Sequence, residues 1–399
     1  MDTNKLEEQT TSIHANGEDM PEIRNGIIKI EKMKENPLIK LEELGQSIWL
    51  DYIRCDLISS GKLNQLIEDD GLSGITSNPS IFENAIADSN IYDKDIREMA
   101  LKGKDVNTIY ETISQTDVQN AADVFKPLYD KTNGKDGYVS LEVNPHLAFD
   151  THGTVEEARR LWKTLDRPNV LIKIPATQEG LPAIQQLISE GINVNVTLLF
   201  SVLRYQQVVE AFIAGIKDRI KEGKPVNKIA SVASFFLSRI DEVVDPKESA
   251  LFESEEKQTL FTTQIKGEVA ISSAKVAYQV YMDFFEDEEF LKLGAMPQRL
   301  LWASTGQKNA DYSDIKYVEA LIGPNTVNTI PIKTLDAYRD HGNPASLLKS
   351  NINQASKVLT ELSAMNIDLK EITEKLESEG IEKFIIAFDK LIKTITTKS

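Results

Sequence analysis

Eight short runs rich in Val, Ile and Leu recur along this chain with stretches of helical period between them, and this alternation limits the fold more than any other feature. The runs are Ser47–Ile53, Gly74–Asn78, Tyr138–Val143, Asn169–Ile174, Asn193–Leu199, Ile229–Phe236, Leu300–Ser304 and Asn325–Thr329. Most are flanked by Gly, Pro or Asn, as strands are. The intervening segments carry helix signals. Thr154-Val-Glu-Glu reads as a capping box leading into Ala158, Leu161 and Leu165. Gly180 to Gly191 and Ser201 to Gly223 follow, and Gly267 to about Leu293 shows an apolar stripe at Ala270, Ala274, Ala277 and Val280. Strands alternating with helices imply a parallel sheet with right-handed crossovers. Eight such units close most naturally into a barrel. An open doubly wound sheet is the structural rival, but no glycine-rich dinucleotide fingerprint follows the first strand.

The polar stretch over residues 1–36 reads as an N-terminal extension, partly disordered, with apolar residues scattered at Ile23, Ile27, Ile28 and Ile30. Residues 37–399 read as one domain, with two or three further helices from about Ala345 packed on its outside. A formal charge of −17 repels phosphate backbones and anionic lipid heads, which argues against nucleic-acid and membrane partners. An anionic substrate would need a few well-placed cations to reverse that field locally. The sole cysteine, Cys55, forms no intramolecular disulfide, and the first residues lack a signal-peptide pattern. These features lead to an expectation of a cytoplasmic protein, with monomer and homodimer both open.

Strands of a barrel should be apolar within, and these strands break the rule at one end. Side chains alternate with period two, so Thr76 and Asn78 share a face, as do Ser140 and Glu142, Asn195 and Thr197, and Ser234 and Phe236. Asp51 and Lys173 each come late in an otherwise apolar run. A single Asn or Asp at a strand end usually caps a turn or helix, and a Lys–Glu pair can be a structural ion pair. Six strands showing the same intrusion at the same end are harder to explain by independent capping. They fall where barrel enzymes build their sites. Lys173 is the sharpest signal, because an ammonium among Leu171, Ile172 and Ile174 costs several kcal/mol to desolvate. Desolvation favours the neutral amine, which can attack a carbonyl. A lysine snorkelling to the rim is the bland alternative.

The ordered motifs resemble the transaldolase family. Gly74-Ile-Thr-Ser-Asn-Pro-Ser is similar to its second strand, Val139-Ser-Leu-Glu-Val to its third, and Leu171-Ile-Lys-Ile-Pro-Ala-Thr to the fourth, which carries a Schiff-base lysine. Gly191-Ile-Asn-Val-Asn-Val-Thr resembles the fifth, and Ser231-Val-Ala-Ser-Phe-Phe, Leu301-Trp-Ala-Ser, Gly323-Pro-Asn-Thr-Val-Asn-Thr and Glu379-Gly-Ile-Glu-Lys-Phe continue the series. The resemblance runs from about Leu41 to Ile395 and is nearest to the longer bacterial subfamily. It implies a (β/α)8 TIM barrel with additional C-terminal helices. It also implies transfer of a dihydroxyacetone unit from sedoheptulose 7-phosphate to glyceraldehyde 3-phosphate in the pentose phosphate pathway, with no metal or organic cofactor.

Carried over by position, the resemblance makes Lys173 the imine-forming amine, Asp51 the base for carbon–carbon cleavage, and Glu142 with Thr197 the holders of a proton-shuttling water. Asn78 and Asn195 would bind hydroxyls of the three-carbon fragment, with Thr76 and Ser234 in the same pocket. Arg239 and Lys308 would meet the phosphate, although isolated surface charge is the plainer reading of Lys308 alone. Gly306-Gln307, Asn144 and His146 depart from the family pattern, and His146 is expected at the pocket edge without a role. Two other functions compete. An aldolase releasing free dihydroxyacetone would use the same lysine, but sibling aldolases are shorter and tend to carry tyrosine where this chain has Phe236. A non-catalytic sugar-phosphate-binding barrel would have no reason to keep Lys173, Asp51 and Glu142 together.

Overall fold

The computed structural model describes residues 36–246 and 254–399. The extension expected over residues 1–36 lies outside them except for Asn36, whose side chain accepts from Leu38 N at 2.9 Å and caps the helix Pro37–Glu43. Eight parallel strands close into a barrel in sequence order. They are β1 (Gln46–Asp51), β2 (Leu72–Thr76), β3 (Tyr138–Glu142), β4 (Val170–Pro175), β5 (Val194–Leu199), β6 (Ser231–Phe236), β7 (Arg299–Ala303) and β8 (Thr326–Ile330). Each expected strand is present, with its ends moved by a residue or two. The protein is thus a (β/α)8 TIM barrel with C-terminal helices.

Outward residues of the strands, such as Ile48, Ile172, Ile174 and Val196, pack against the ring of helices. Inward residues stack in layers, as the alternation requires. The middle layer is apolar: Trp49, Tyr138, Leu171, Val232, Leu301 and Val327 form a separate cluster inside the barrel. Gly74 makes room for it, because a Cβ there would lie 2.6 Å from the Trp49 ring. Beneath this layer sits an unexpected charge. Arg299 donates to Asp136 Oδ1 at 2.9 Å and to Ser47 Oγ at 2.8 Å, and Ser47 in turn donates to Asp136 Oδ2 at 2.9 Å. This buried ion pair plugs the N-terminal end of the barrel.

Several helix readings shift. The helix starting near Thr154 begins at Thr151, because Asp150 accepts from Gly153 N and takes the capping role. Thr154 instead donates to Leu147 O at 2.9 Å from inside the helix. The segment from Gly267 divides into Val269–Phe285 and Glu288–Lys292, since Asp287 starts a new helix by accepting from Glu289 N. Beyond Ala345 lie Ile352–Ala364 and the long Leu369–Lys398. The second of these does more than pad the outside. Lys390 meets Glu83 at 2.7 Å, Lys398 meets Asp93 at 2.7 Å, and His146 Nε2 meets Asp389 at 2.8 Å. These contacts hold the C-terminal helix against the barrel's C-terminal mouth. No helix among the described residues is long and apolar enough to cross a membrane.

Asp136→Ala leaves Arg299 buried without its partner, so unfolding free energy should fall by about 3–5 kcal/mol. Urea or thermal unfolding measures this. Turnover of the folded variant should match wild type, because the plug is at the opposite end from the cavity described next.

Candidate active site

The mouth of the barrel opens into a cavity of about 410 Å³. Asp51 (β1), Thr76 (β2), Lys173 (β4), Thr197 (β5), Ser234 and Phe236 (β6) reach it, with Asn78, Arg239 and Lys308 from the loops and helix starts that follow strands. Glu142 and Asn195 do not line it. Register explains the grouping: Glu142 pairs with Lys173 across β3 and β4, and Lys173 with Asn195 across β4 and β5, so these inward side chains are neighbours around the ring.

Lys173 is 4 % exposed. Its Nζ donates to Ser77 O at 2.8 Å and lies 3.6 Å from Glu142 Oε2, longer than a direct hydrogen bond. The surroundings differ from the apolar sheath expected for this amine. Ile172 and Ile174 face the outer helices and only Leu171 lies beneath it. The amine is therefore held by a carbonyl and carboxyl groups rather than by hydrocarbon alone.

Burial pushes the Glu142 carboxyl up to about 7, with Lys173 pulling the other way and the Asp51 charge adding to the rise. Burial also raises Asp51, opposed by Lys173, by the hydrogen bond from Thr76 and by Lys308. Thr76 Oγ1 donates to Asp51 Oδ1 at 2.8 Å and sits 2.6 Å from Thr329 Oγ1, so the carboxylate is oriented from below. Both oxygens of Glu142 and the Thr197 hydroxyl are buried with no protein partner. Such atoms call for a bridging water or a ligand. After Thr197, Leu198 takes φ +55°, within an irregularity of the β5–β6 ladder between Val196 and Leu199. A bulky residue at such a φ is strained, and strain of this kind gathers at functional sites.

Asn78 performs the capping role weighed against it and keeps a second one. Its Oδ1 accepts from Ile81 N at 3.0 Å, which leaves the amide NH2 for the cavity. Asn195 is one layer down and largely committed: Nδ2 donates to Ser140 Oγ at 3.0 Å and Oδ1 accepts from Ser234 Oγ at 2.7 Å. Phe236 packs on Phe200 with ring centres 5.2 Å apart. At the rim, Arg239 and Lys308 are close enough that Arg239 lowers the Lys308 ammonium, second only to burial, while Glu242 and Asp51 oppose. Two cations in mutual repulsion at a cavity rim suit a dianion. Gly306 also lines the cavity, whereas Gln307 turns away toward the carbonyls of Asn309 and Tyr312. His146 is not at this pocket's edge; with Phe388 and Asp389 it docks the C-terminal helix.

That helix supplies the residues sequence reasoning missed: Leu376, Gly380, Lys383 and Phe384 roof the cavity. Their spacing of four, three and one is one helical face. Gly380 eases the approach, since a Cβ there would lie 3.0 Å from Leu198 Cδ2 and press on that side chain.

A buried amine flanked by two raised carboxyl groups, at the C-terminal mouth of a TIM barrel and beside a cationic rim, is an arrangement capable of forming an imine with a phosphorylated carbonyl compound. Residues 48–395 match the model of the Transaldolase/Fructose-6-phosphate aldolase family, and the chain belongs to that family. It is 46% identical over 374 residues to Transaldolase 2 of Nostoc sp., covering 92% of this chain and 98% of that one. Transaldolase of Trichodesmium erythraeum is 46% identical over 376 residues, with 92% and 98% covered. Transaldolase of Mycobacterium tuberculosis is 43% identical over 365 residues, with 90% and 96% covered.

A carboxyl group raised from 4.5 to about 7 keeps its proton in the folded state after the unfolded state has lost it. The folded state is therefore penalised progressively as pH rises through that window. Wild type should lose stability relative to Glu142→Gln between pH 4.5 and about 7, and difference infrared spectroscopy should show a carboxyl titration there that the variant lacks. A titration near 4.5 in the folded protein would contradict the assignment.

Proposed function

We propose that this protein is a transaldolase that moves a dihydroxyacetone unit reversibly from sedoheptulose 7-phosphate to glyceraldehyde 3-phosphate, giving erythrose 4-phosphate and fructose 6-phosphate. The observation that carries the reading is Lys173, buried 3.6 Å from Glu142 in a cavity that also holds Asp51. Relatives covering almost the whole chain and named transaldolase support it.

Lys173 attacks the ketose carbonyl, and Glu142 with Thr197 holds the water that carries protons as the carbinolamine loses its hydroxyl. The resulting iminium draws electrons from the adjacent carbon–carbon bond. Asp51 takes the proton from the hydroxyl one carbon further on, the bond breaks, and the aldose leaves an enamine on Lys173. The acceptor aldehyde then adds by the reverse path. Asn78 binds hydroxyls of the retained fragment through its free NH2. Asn195 reaches them only with its remaining Nδ2 hydrogen, while Ser234 and Thr76 fix the floor. Arg239 and Lys308 bind the phosphate. No metal or organic cofactor enters this scheme, because the imine performs the activation.

Transfer rather than free aldol release is favoured by Phe236, whose ring packs on Phe200 and offers no proton to the enamine. A cytoplasmic location fits the free thiol of Cys55.

Borohydride with fructose 6-phosphate should fix a three-carbon adduct on Lys173 in wild type, mapped by mass spectrometry. In Asp51→Ala the adduct should carry six carbons, because the imine forms but is not cleaved, and turnover should drop by about 10²–10⁴-fold. An adduct on another lysine would overturn the proposal. Release of dihydroxyacetone at the transfer rate without an acceptor would favour the aldolase instead. Arg239→Ala should raise KM about tenfold or more for erythrose 4-phosphate and leave unphosphorylated glyceraldehyde nearly unaffected, since one charge-assisted contact to the phosphate is lost.

A further inference from the structure

The backbone pairing of the barrel is shortest at the β2–β3 seam, beside the site. β2 and β3 pair only through Gly74 with Tyr138 and Ile75 with Val139, and above that level the seam parts. One side-chain link crosses it, from Ser77 Oγ to Ser140 O at 2.7 Å. Outside the gap lies a second cavity of about 200 Å³ between the barrel and the helices Val106–Lys131 and Thr151–Leu165. Glu142 and Ser77 line it, as do Tyr110, Ser114 and Asn107, while Lys173 and Thr197 do not. Lys173 and Thr197 line only the main cavity. Glu142 therefore stands in the split between two chambers. Tyr110 lines the same chamber as Glu142, and its phenol is raised by burial, with the Glu142 charge adding to the rise.

The side chamber has the properties of a water compartment. Its size admits several waters. Two of its acids, Glu111 and Glu157, share the Arg160 guanidinium at 2.7 and 2.9 Å, so the three carry one net negative charge and the walls are polar without being a strong cation trap. Both Glu142 oxygens lack protein partners. Phe388 of the C-terminal helix packs edge-on to Tyr110 at 5.4 Å and covers the chamber, and Asn107 lies exposed at its edge.

We propose that this side chamber is the water and proton route for imine formation and hydrolysis, connecting Glu142 to solvent through the split β2–β3 seam while substrate fills the mouth. The inference rests on the imine chemistry assigned to Lys173. Carbinolamine loss of hydroxide consumes one proton from Glu142–COOH and yields iminium, carboxylate and one water. Hydrolysis returns the proton to Glu142 as water's hydroxide adds to the iminium carbon. Each cycle must therefore pass one water out and one in, and Glu142, which lines the side chamber 3.6 Å from the Lys173 amine of the main cavity, is the group between them.

The test uses the full-length enzyme with fructose 6-phosphate in H2¹⁸O. Enzyme-dependent exchange of the ketone oxygen reports imine formation and reversal. Uptake of erythrose 4-phosphate in a single turnover by enzyme already carrying the three-carbon enamine reports the carbon–carbon step, the reverse of cleavage, without passing through imine formation. Ser114→Leu fills the chamber, and Asn107→Trp, at an exposed position, obstructs its edge without disturbing the core. Both should slow exchange and borohydride trapping at least about tenfold, the scale of a misplaced proton relay, with the carbon–carbon step unchanged. Exchange at the wild-type rate in folded Asn107→Trp, or equal slowing of exchange and the carbon–carbon step, overturns the route. Absence of exchange and of a Lys173 adduct in wild type would instead sink the imine reading itself.

Discussion

The pairing of Lys173 with Glu142, 3.6 Å apart and both nearly inaccessible, is the interaction on which the site depends. Taking an ammonium and a carboxylate out of water costs several kcal/mol for each ion, and their attraction repays this only with good geometry and further hydrogen bonds. Here the geometry is incomplete. The separation exceeds a hydrogen bond, Ser77 O takes one lysine hydrogen, and both Glu142 oxygens stay unpartnered within the protein. An ion pair selected for stability would be closed and saturated. One left open, with the acid raised to about 7, is arranged to pass a proton at neutral pH.

The layers below make that arrangement tolerable. Trp49, Tyr138 and Leu171 seal the barrel under the polar level, and Gly74 yields the volume that Trp49 needs. The Arg299–Asp136 plug closes the far end. Above the apolar layer, Ser140, Asn195 and Ser234 form a hydrogen-bonded belt that uses nearly all the capacity of Asn195. Such a belt rigidifies the floor, so that Asp51, fixed through Thr76 and Thr329, would meet a substrate whose imine end is held by Lys173 in the proposed reaction. The rim works against the protein's own field. A chain of net charge −17 gathers Arg239, Lys308 and Lys383 around one opening, the local reversal an anionic substrate requires.

Much of this was legible in the residues, and the limits have physical reasons. Strand alternation is short-range and strong, so all eight strands and the shared faces of Thr76, Ser140 and Asn195 could be read directly. The charge beneath the core could not: Arg299 and Asp136 lie on separate elements, and neither has a local signal that it is buried. Strand parity turns Ile172 and Ile174 away from Lys173, so the apolar run around this lysine in the sequence is not its surroundings in the fold. Helix starts went astray where two cappers competed, as Asp150 and Thr154 did within four residues. The C-terminal helices were expected only to pack on the outside, because periodicity tells which face of a helix is apolar and not what it covers. Gly380 was the available hint, because a glycine in mid-helix costs about 1 kcal/mol against alanine and usually marks a close approach.

That roof bears on how transfer avoids hydrolysis. An enamine carrying a three-carbon fragment must outlive the departure of one aldose and the arrival of the next, with water kept from protonating it. On the mouth side the fragment would meet Phe236, Phe200 and Phe384, none of which carries a proton that exchanges. On the far side of the lysine stands Glu142, facing the parted β2–β3 seam. The reactive carbon and the nitrogen would then see different surroundings. The carbon would lie against aromatic rings under a helix anchored by Lys390, Lys398 and His146, and the nitrogen would lie beside Glu142. Separating the two by the width of a lysine head group lets one site both make and unmake an imine with water while keeping the carbanion equivalent dry between those events.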